Sequence, residues 1–232
     1  MSVELNSDID NIEHTNNLQP LLEAVNISHN FDYPLFKNIN LNIYESQSIA
    51  IVGSSGCGKS TLLNILSTLL KPLDGDVLFN KKSIYSLKND DILKIRREYF
   101  GIIFQAHYLF RGFNAKENLE ISSILNDTVV DEELLKLLHI DFVMNQNIGT
   151  LSGGQQQRLS IARILTKKPK IIFADEPTGN LDKETAKIVF DSLFKYIHLV
   201  NGAMVLVTHE MDLAFRCDRV FEIKNQRLEQ IK

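Results

Sequence analysis

"SIAIVGSSGCGKSTLLNIL", residues 48–66, decides the fold. The opening "SIAIV" is a short apolar run with no polar alternation, the pattern of a strand buried on both faces. It runs straight into "GSSGCGKST", which matches G-x-x-x-x-G-K-[ST] at Gly53, Gly58, Lys59 and Ser60. "KSTLLNILSTLL" then follows with helical apolar spacing. In that strand–loop–helix order the glycines let the backbone bend, so that successive N–H groups and a helix N-terminus converge on phosphate oxygens. Lys59 adds a mobile charge for the terminal phosphates, and Ser60 offers a hydroxyl to Mg²⁺. The candidate phosphate-binding set is Gly53, Ser54, Ser55, Gly56, Cys57, Gly58, Lys59, Ser60 and Thr61. Because Cys57 lies inside the loop, a bulky thiol reagent there is expected to block nucleotide binding.

Outward from this loop the chain alternates. Strand-like patterns at "LLEAVNISHNF" and "NINLNIYE" precede it, and short apolar strands are predicted at "GDVLFN", "FGIIFQ", "KIIFAD" and "AMVLVTH". The end, "RVFEIKNQRLEQI", reads as a hairpin, and "DKETAKIVFDSLFKYIHLV" as a long amphipathic helix. Between Gln105 and Leu151 the character turns helical, at "AKENLEISSIL" and "DEELLKLLHI", which reads as an inserted helical section. Residues 1–20 are polar and aperiodic and read as a flexible tail before a domain at 21–232. The whole is α/β with a mainly parallel central sheet.

Four apolar residues, Ile171 to Ala174, end in Asp175 and Glu176. A carboxylate at the carboxyl end of a buried parallel strand faces the ligand crevice, where Asp175 can serve Mg²⁺ and Glu176 can orient or deprotonate a water. Gln105 and His209 follow apolar strands in the same way. Gln105 is placed to touch the metal and the attacking water, His209 to donate to the γ-phosphate. The other histidines, His14, His29, His107, His139 and His198, read as structural or merely exposed. A second glycine pair opens the helix in "TLSGGQQQRLSIARIL", residues 150–165, although each glycine costs roughly 1 kcal/mol relative to alanine. Ser152 suits an N-cap, while Gly153 and Gly154 expose bare amides that a Cβ would screen.

Composition bounds the rest. The 232 residues carry 44% hydrophobic and 23% charged side chains, ordinary for a globular domain. A net charge of −4 argues against a nucleic-acid partner, which needs a basic face. No apolar run approaches the roughly 18 residues of a membrane span, and no signal peptide is read at the start. Two cysteines without metal-ligand spacing fit a reduced, cytoplasmic setting.

"GSSGCGKST", "FQ" at 104–105, "LSGGQ" at 151–155, "FADE" at 173–176, "GNLD" at 179–182 and "TH" at 208–209 occur in the order found in ATP-binding cassette transporter ATPases, which the chain resembles from about Leu21 to its end. That resemblance implies a P-loop NTPase fold with an N-terminal antiparallel β region and a helical subdomain at about 106–165. It implies ATP and Mg²⁺ as ligands, with Ser60, Gln105 and Asp175 serving the metal, Glu176 as catalytic carboxylate and His209 as switch histidine. Asp182 resembles the aspartate that communicates across a dimer, and Phe31, with Tyr33 second, the aromatic that stacks on adenine. Ser152, Gly153, Gly154 and Gln155 would complete the ATP site of a second copy in a homodimer. The partner implied is a separate integral membrane permease, docking near 106–119, with the ATPase peripheral on the inner face of the inner membrane. "FADEPTGNLD" and "FQAHYLFRGFNAKENLE" are similar to the group of lipoprotein-releasing and macrolide-exporter ATPases. Arg111 and Thr150 depart from that group's usual proline and glutamate. A cell-division-type cassette and a soluble non-transport cassette are the alternatives.

Overall fold

A computed structural model of the chain describes residues 19–179 and 181–232. Residues 1–18 of the expected 1–20 tail and Asn180 of "GNLD" lie outside the described residues. In chain order the elements are β1 (Leu22–Asn30), β2 (Pro34–Ile43), β3 (Ser48–Val52), α1 (Lys59–Leu66), β4 (Asp74–Phe79), β5 (Lys82–Ser83), α2 (Asn89–Glu98) and β6 (Phe100–Ile103). They continue with α3 (Ala115–Asn126), α4 (Glu132–Leu137), α5 (Gly153–Leu165), β7 (Ile171–Asp175), α6 (Lys183–Leu199), β8 (Ala203–Val207), α7 (Met211–Ala214), β9 (Arg219–Lys224) and β10 (Arg227–Gln230).

The strands form two sheets. One is antiparallel, in the order β2-β1-β4-β5; the other has the order β10-β9-β3-β8-β7-β6. In the second, β3 pairs parallel with β8 and β9, and β7 pairs parallel with β6 and β8; only β10 runs antiparallel, closing the terminal hairpin. β3 and β8 are buried along their whole length, as their unbroken apolar runs require.

Side-chain alternation along these strands separates two cores. Ile49, Ile51, Phe173, Val205 and Val207 face α1 and the antiparallel sheet, packing on Leu62, Leu63, Phe36 and Val77. Ala50, Val52, Ile172, Ala174, Met204 and Leu206 face the helices, packing on Leu119, Leu159, Ile161, Phe190 and Leu193. α1 is thus enclosed between two sheets, which fixes the loop that precedes it. The helices between 115 and 165 share one buried cluster with the sheet.

α2 goes beyond the elements predicted above. None of its residues is fully buried, but Ile92 and Ile95, three apart, pack partly buried against the core that encloses α1. Asp90 and Asp91 in its first turn and Arg96 and Arg97 in its last complement the helix dipole.

Candidate nucleotide site

The sheet order places the carboxyl ends of β3, β8 and β7 side by side, and each carries a candidate residue just beyond it. A cleft of about 320 Å³ opens there, lined by Phe31, Tyr33, Leu35, Ser55, Gly56, Gly58, Lys59, Ser60, Thr61, Glu176 and Val207.

The loop after β3 needs its glycines. Gly53, Gly56 and Gly58 have φ of 147°, 78° and 102°, where L side chains are strained. A Cβ on Gly53 would stand 2.8 Å from Cys57 Sγ and 2.9 Å from the Ile223 carbonyl oxygen; one on Gly58 would meet the Phe36 ring at 3.0 Å. Lys59 folds back, its Nζ donating to the carbonyls of Gly53 at 2.9 Å and Ser54 at 3.0 Å. That contact curls the loop and holds the ammonium over its concave side.

Ser60 Oγ donates to Asp175 Oδ1 at 3.0 Å, joining the start of α1 to the end of β7. Burial pushes the Asp175 carboxyl up; the Ser60 hydrogen bond opposes this, Glu176 reinforces it and Lys59 opposes it. Among the described residues no group of three or more His, Cys, Asp or Glu could hold a metal. A hydroxyl beside a single carboxylate, next to a phosphate-binding loop, instead fits Mg²⁺, which takes few protein oxygens and completes its shell with phosphate and water.

Glu176 sits at φ 45°, an uncommon conformation for a non-glycine residue. Its amide donates to the Val207 carbonyl at 2.9 Å, so β8 holds the turn. His209 Nδ1 lies 2.8 Å from Glu176 Oε1 and donates to it when protonated. This hydrogen bond and the carboxylate charge push the His209 pKa up.

Phe31 and Tyr33 stand 58% and 57% exposed on the β1–β2 turn, both at the cleft. The buried His29 meets Phe31 in a T-shaped contact at 5.0 Å between ring centroids. Gln105 lies past the end of β6 rather than within the strand, because the ladder with β7 stops at Ile103. Its amide packs beside Gly179, where a Cβ would come within 3.2 Å of Nε2.

Ser152, Gly153, Gly154 and Gln155 are absent from the cleft's lining. Ser152 caps α5 in a reciprocal box: its Oγ accepts from the Gln155 amide at 3.2 Å, and its own amide donates to Gln155 Oε1 at 2.8 Å. The amides of Gly153 and Gly154 remain at the open end of the helix. A Cβ on Gly153 would meet nothing within 4 Å, and its φ is not positive. Asp182 caps α6, accepting from the Glu184 and Thr185 amides and from Thr185 Oγ1 at 2.7 Å. The backbone and hydroxyl bonds from Thr185 hold its carboxyl below the usual range.

The structure adds Gln157 and His107 to the sequence-derived set. Gln157 is 1% exposed; its Nε2 donates to the Pro177 carbonyl at 2.7 Å and to the Phe104 carbonyl at 3.4 Å, and its Oε1 is bonded to His107 Nδ1. The signal was the i, i+4, i+8 spacing of Gln157, Ile161 and Leu165, which puts a glutamine on the buried face of α5.

Fold and loop together define a nucleotide-binding domain with a phosphate-cradling loop. A family model described as ABC transporter matches residues 36–179. The chain belongs to this ABC transporter family and is one of its cassette ATPases. It is 36% identical over 219 residues to the lipoprotein-releasing system ATP-binding protein LolD of Buchnera aphidicola subsp. Schizaphis graminum, covering 90% of this chain and 96% of that protein. To LolD of Rickettsia bellii it is 42% identical over 197 residues, covering 82% and 87%. To the macrolide export ATP-binding/permease protein MacB of Wolinella succinogenes it is 38% identical over 221 residues, covering 90% of this chain but 34% of that protein. The dimeric post-hydrolysis structure of the ATP-binding cassette MJ0796 bound to ADP and Pi is 33% identical, with a TM-score of 0.81 over 91% of this chain and 99% of that one. No helix among the described residues is long and apolar enough to cross a membrane.

Proposed function

We propose that this chain hydrolyses ATP as the nucleotide-binding subunit of a lipoprotein-releasing type of transporter, paired with a second copy around two ATP and docked on a separate membrane subunit. The supporting observation is the convergence of Lys59, Ser60, Asp175, Glu176 and His209 at adjacent strand ends around one cleft. Phosphoryl transfer asks chiefly for positioning and charge stabilisation. The loop amides and Lys59 bind the phosphates, Phe31 stacks on the base, and Ser60, Asp175 and Gln105 would hold Mg²⁺, which when bound would supply positive charge beside the phosphates. Glu176 takes the proton of the attacking water, and His209 steadies the γ-phosphate. Thr61 completes the cradle.

Ser152, Gly153, Gly154 and Gln155 serve the nucleotide held by the other copy, and Asp182 lies at the same interface. In favour stand the open space at Gly153 and the dimeric cassette of similar fold. We read 106–165 as a helical subdomain that carries this signature. The segment 106–119 meets the membrane subunit, offering exposed Tyr108, Phe110 and Phe113 and placing the ATPase on the inner face of the membrane. Lipoprotein as cargo is drawn from the likeness to LolD of Buchnera aphidicola and of Rickettsia bellii, at 36% and 42% identity; the macrolide exporter, at 38%, falls between them and gives the second reading.

Pull-down of the chain from solubilised membranes, followed by sequencing of the captured membrane protein, tests the assignment. Capture of a lipoprotein-releasing permease is expected. Capture of an exporter or cell-division membrane protein contradicts the cargo, and a chain that turns over no ATP contradicts the activity.

A further inference from the structure

Gln157 stands where three separate segments meet, and none of the roles above uses it. Its amide reaches the carbonyl of Phe104, immediately before Gln105, and the carbonyl of Pro177, immediately after Glu176. Both bonds use Nε2, the donating end, so the amide orientation is fixed by its partners: Oε1 must accept. His107, bonded to Oε1 through Nδ1, must therefore carry its proton on that nitrogen. The group is buried, so each lost bond would strand a polar atom away from water.

The corner it supports is a demanding one. Glu176 holds a positive φ, Gly179 returns an amide to the Glu176 carbonyl at 3.2 Å, and Gln105 packs against Gly179. An uncommon backbone conformation persists only where surrounding contacts over-determine it. From α5, Gln157 grips both strand-end loops at once, one bearing Gln105 and the other Glu176. His107 extends this grip into the segment 106–113.

We propose that Gln157 is a positioning residue for hydrolysis and that His107 couples the 106–113 segment to it. Through this pair a displacement of that segment reaches the turn holding Glu176, and α5 with its signature moves in step. The inference rests on the roles given to Glu176 and Gln105 under the proposed function.

The test is steady-state ATP turnover by the full-length chain, with kcat and KM separated, for His107→Leu, His107→Asn, Gln157→Leu and the double Leu variant. Loosening a catalytic corner by a fraction of an ångström lowers kcat while leaving phosphate contacts alone, so His107→Leu should lose about tenfold in kcat with KM within about twofold. His107→Asn should recover most of it, since its amide N–H takes the place of Nδ1–H. Gln157→Leu should lose more, and the double variant no more than Gln157→Leu alone, because both act through one network. The proposal is overturned if His107→Leu keeps the parental kcat, if kcat and KM suffer together, or if His107→Asn is as slow as His107→Leu. Should Gln157→Leu fail to fold, the two His107 variants decide alone. Glu176→Gln runs alongside: its full activity would sink the underlying assignment, whereas its loss with normal His107 variants would sink only this inference.

Discussion

The two glycine clusters of this chain look alike in sequence and differ in what they answer to. In the loop 53–58 every glycine has a positive φ, and Cβ atoms on Gly53 and Gly58 would strike neighbours of the same chain. At the signature, Gly153 has ordinary backbone angles and open space where a side chain would go. The first cluster is required by the chain's own fold. Within the second cluster a Cβ on Gly154 would still come within 3.1 Å of Thr185 Cγ2, but Gly153 answers to nothing in its own copy and costs helix stability, so we infer that the demand for it comes from outside the chain. In the proposed dimer that outside surface is the other copy's phosphates.

The largest effect expected is on the half of the site that one chain builds alone. Glu176→Gln should cut turnover about 10²–10⁴-fold, the usual contribution of a positioned base, while ATP binding by equilibrium titration stays within about twofold. Turnover near the parental rate would remove Glu176 as the base.

Alanine at the two clusters should then act in opposite directions. Gly58→Ala forces a Cβ against Phe36 at a φ of 102°, and should cost about 1–3 kcal/mol in urea unfolding, with weakened ATP binding. Gly153→Ala meets no neighbour and replaces a poor helix former, so it should gain up to about 1 kcal/mol. Turnover should nevertheless fall in Gly153→Ala. If both destabilise alike, the contrast between the clusters is false.

A smaller effect reports on the Glu176–His209 contact. Because the carboxylate favours the charged ring, His209 should titrate above the usual 6.5. The folded-state pKa is raised, so its contribution to stability is complete below 6.5 and is lost as pH climbs through the folded value. Histidine ring resonances in Glu176→Gln should show the midpoint falling back; an unchanged midpoint would mean the pair does not form in solution.

Much of this was legible in the sequence because it was written in local patterns. β3, β7 and β8 announce themselves as unbroken apolar runs, and the loop at 53–61 by glycine spacing. α2 did not, because its apolar contacts, Ile92 and Ile95, span barely one turn among charged neighbours. The convergence of Ser60 with Asp175, and of Glu176 with His209, follows from strand order, which pairwise spacing in sequence does not encode. Gln157 was half-legible: its helical face could be read, but its carbonyl partners at Phe104 and Pro177 lie beyond β-strand ends 53 and 20 residues away in the chain, joined only by folding.

The central claim, that the two glycine clusters are halves of one site meeting between two copies, is tested most directly by sedimentation of Glu176→Gln with saturating ATP and Mg²⁺, alone and combined with Gly153→Val. The account predicts a dimer for the first and a monomer that still binds ATP for the second. Dimers in both cases, or ATP binding lost from the Gly153→Val monomer, would contradict it.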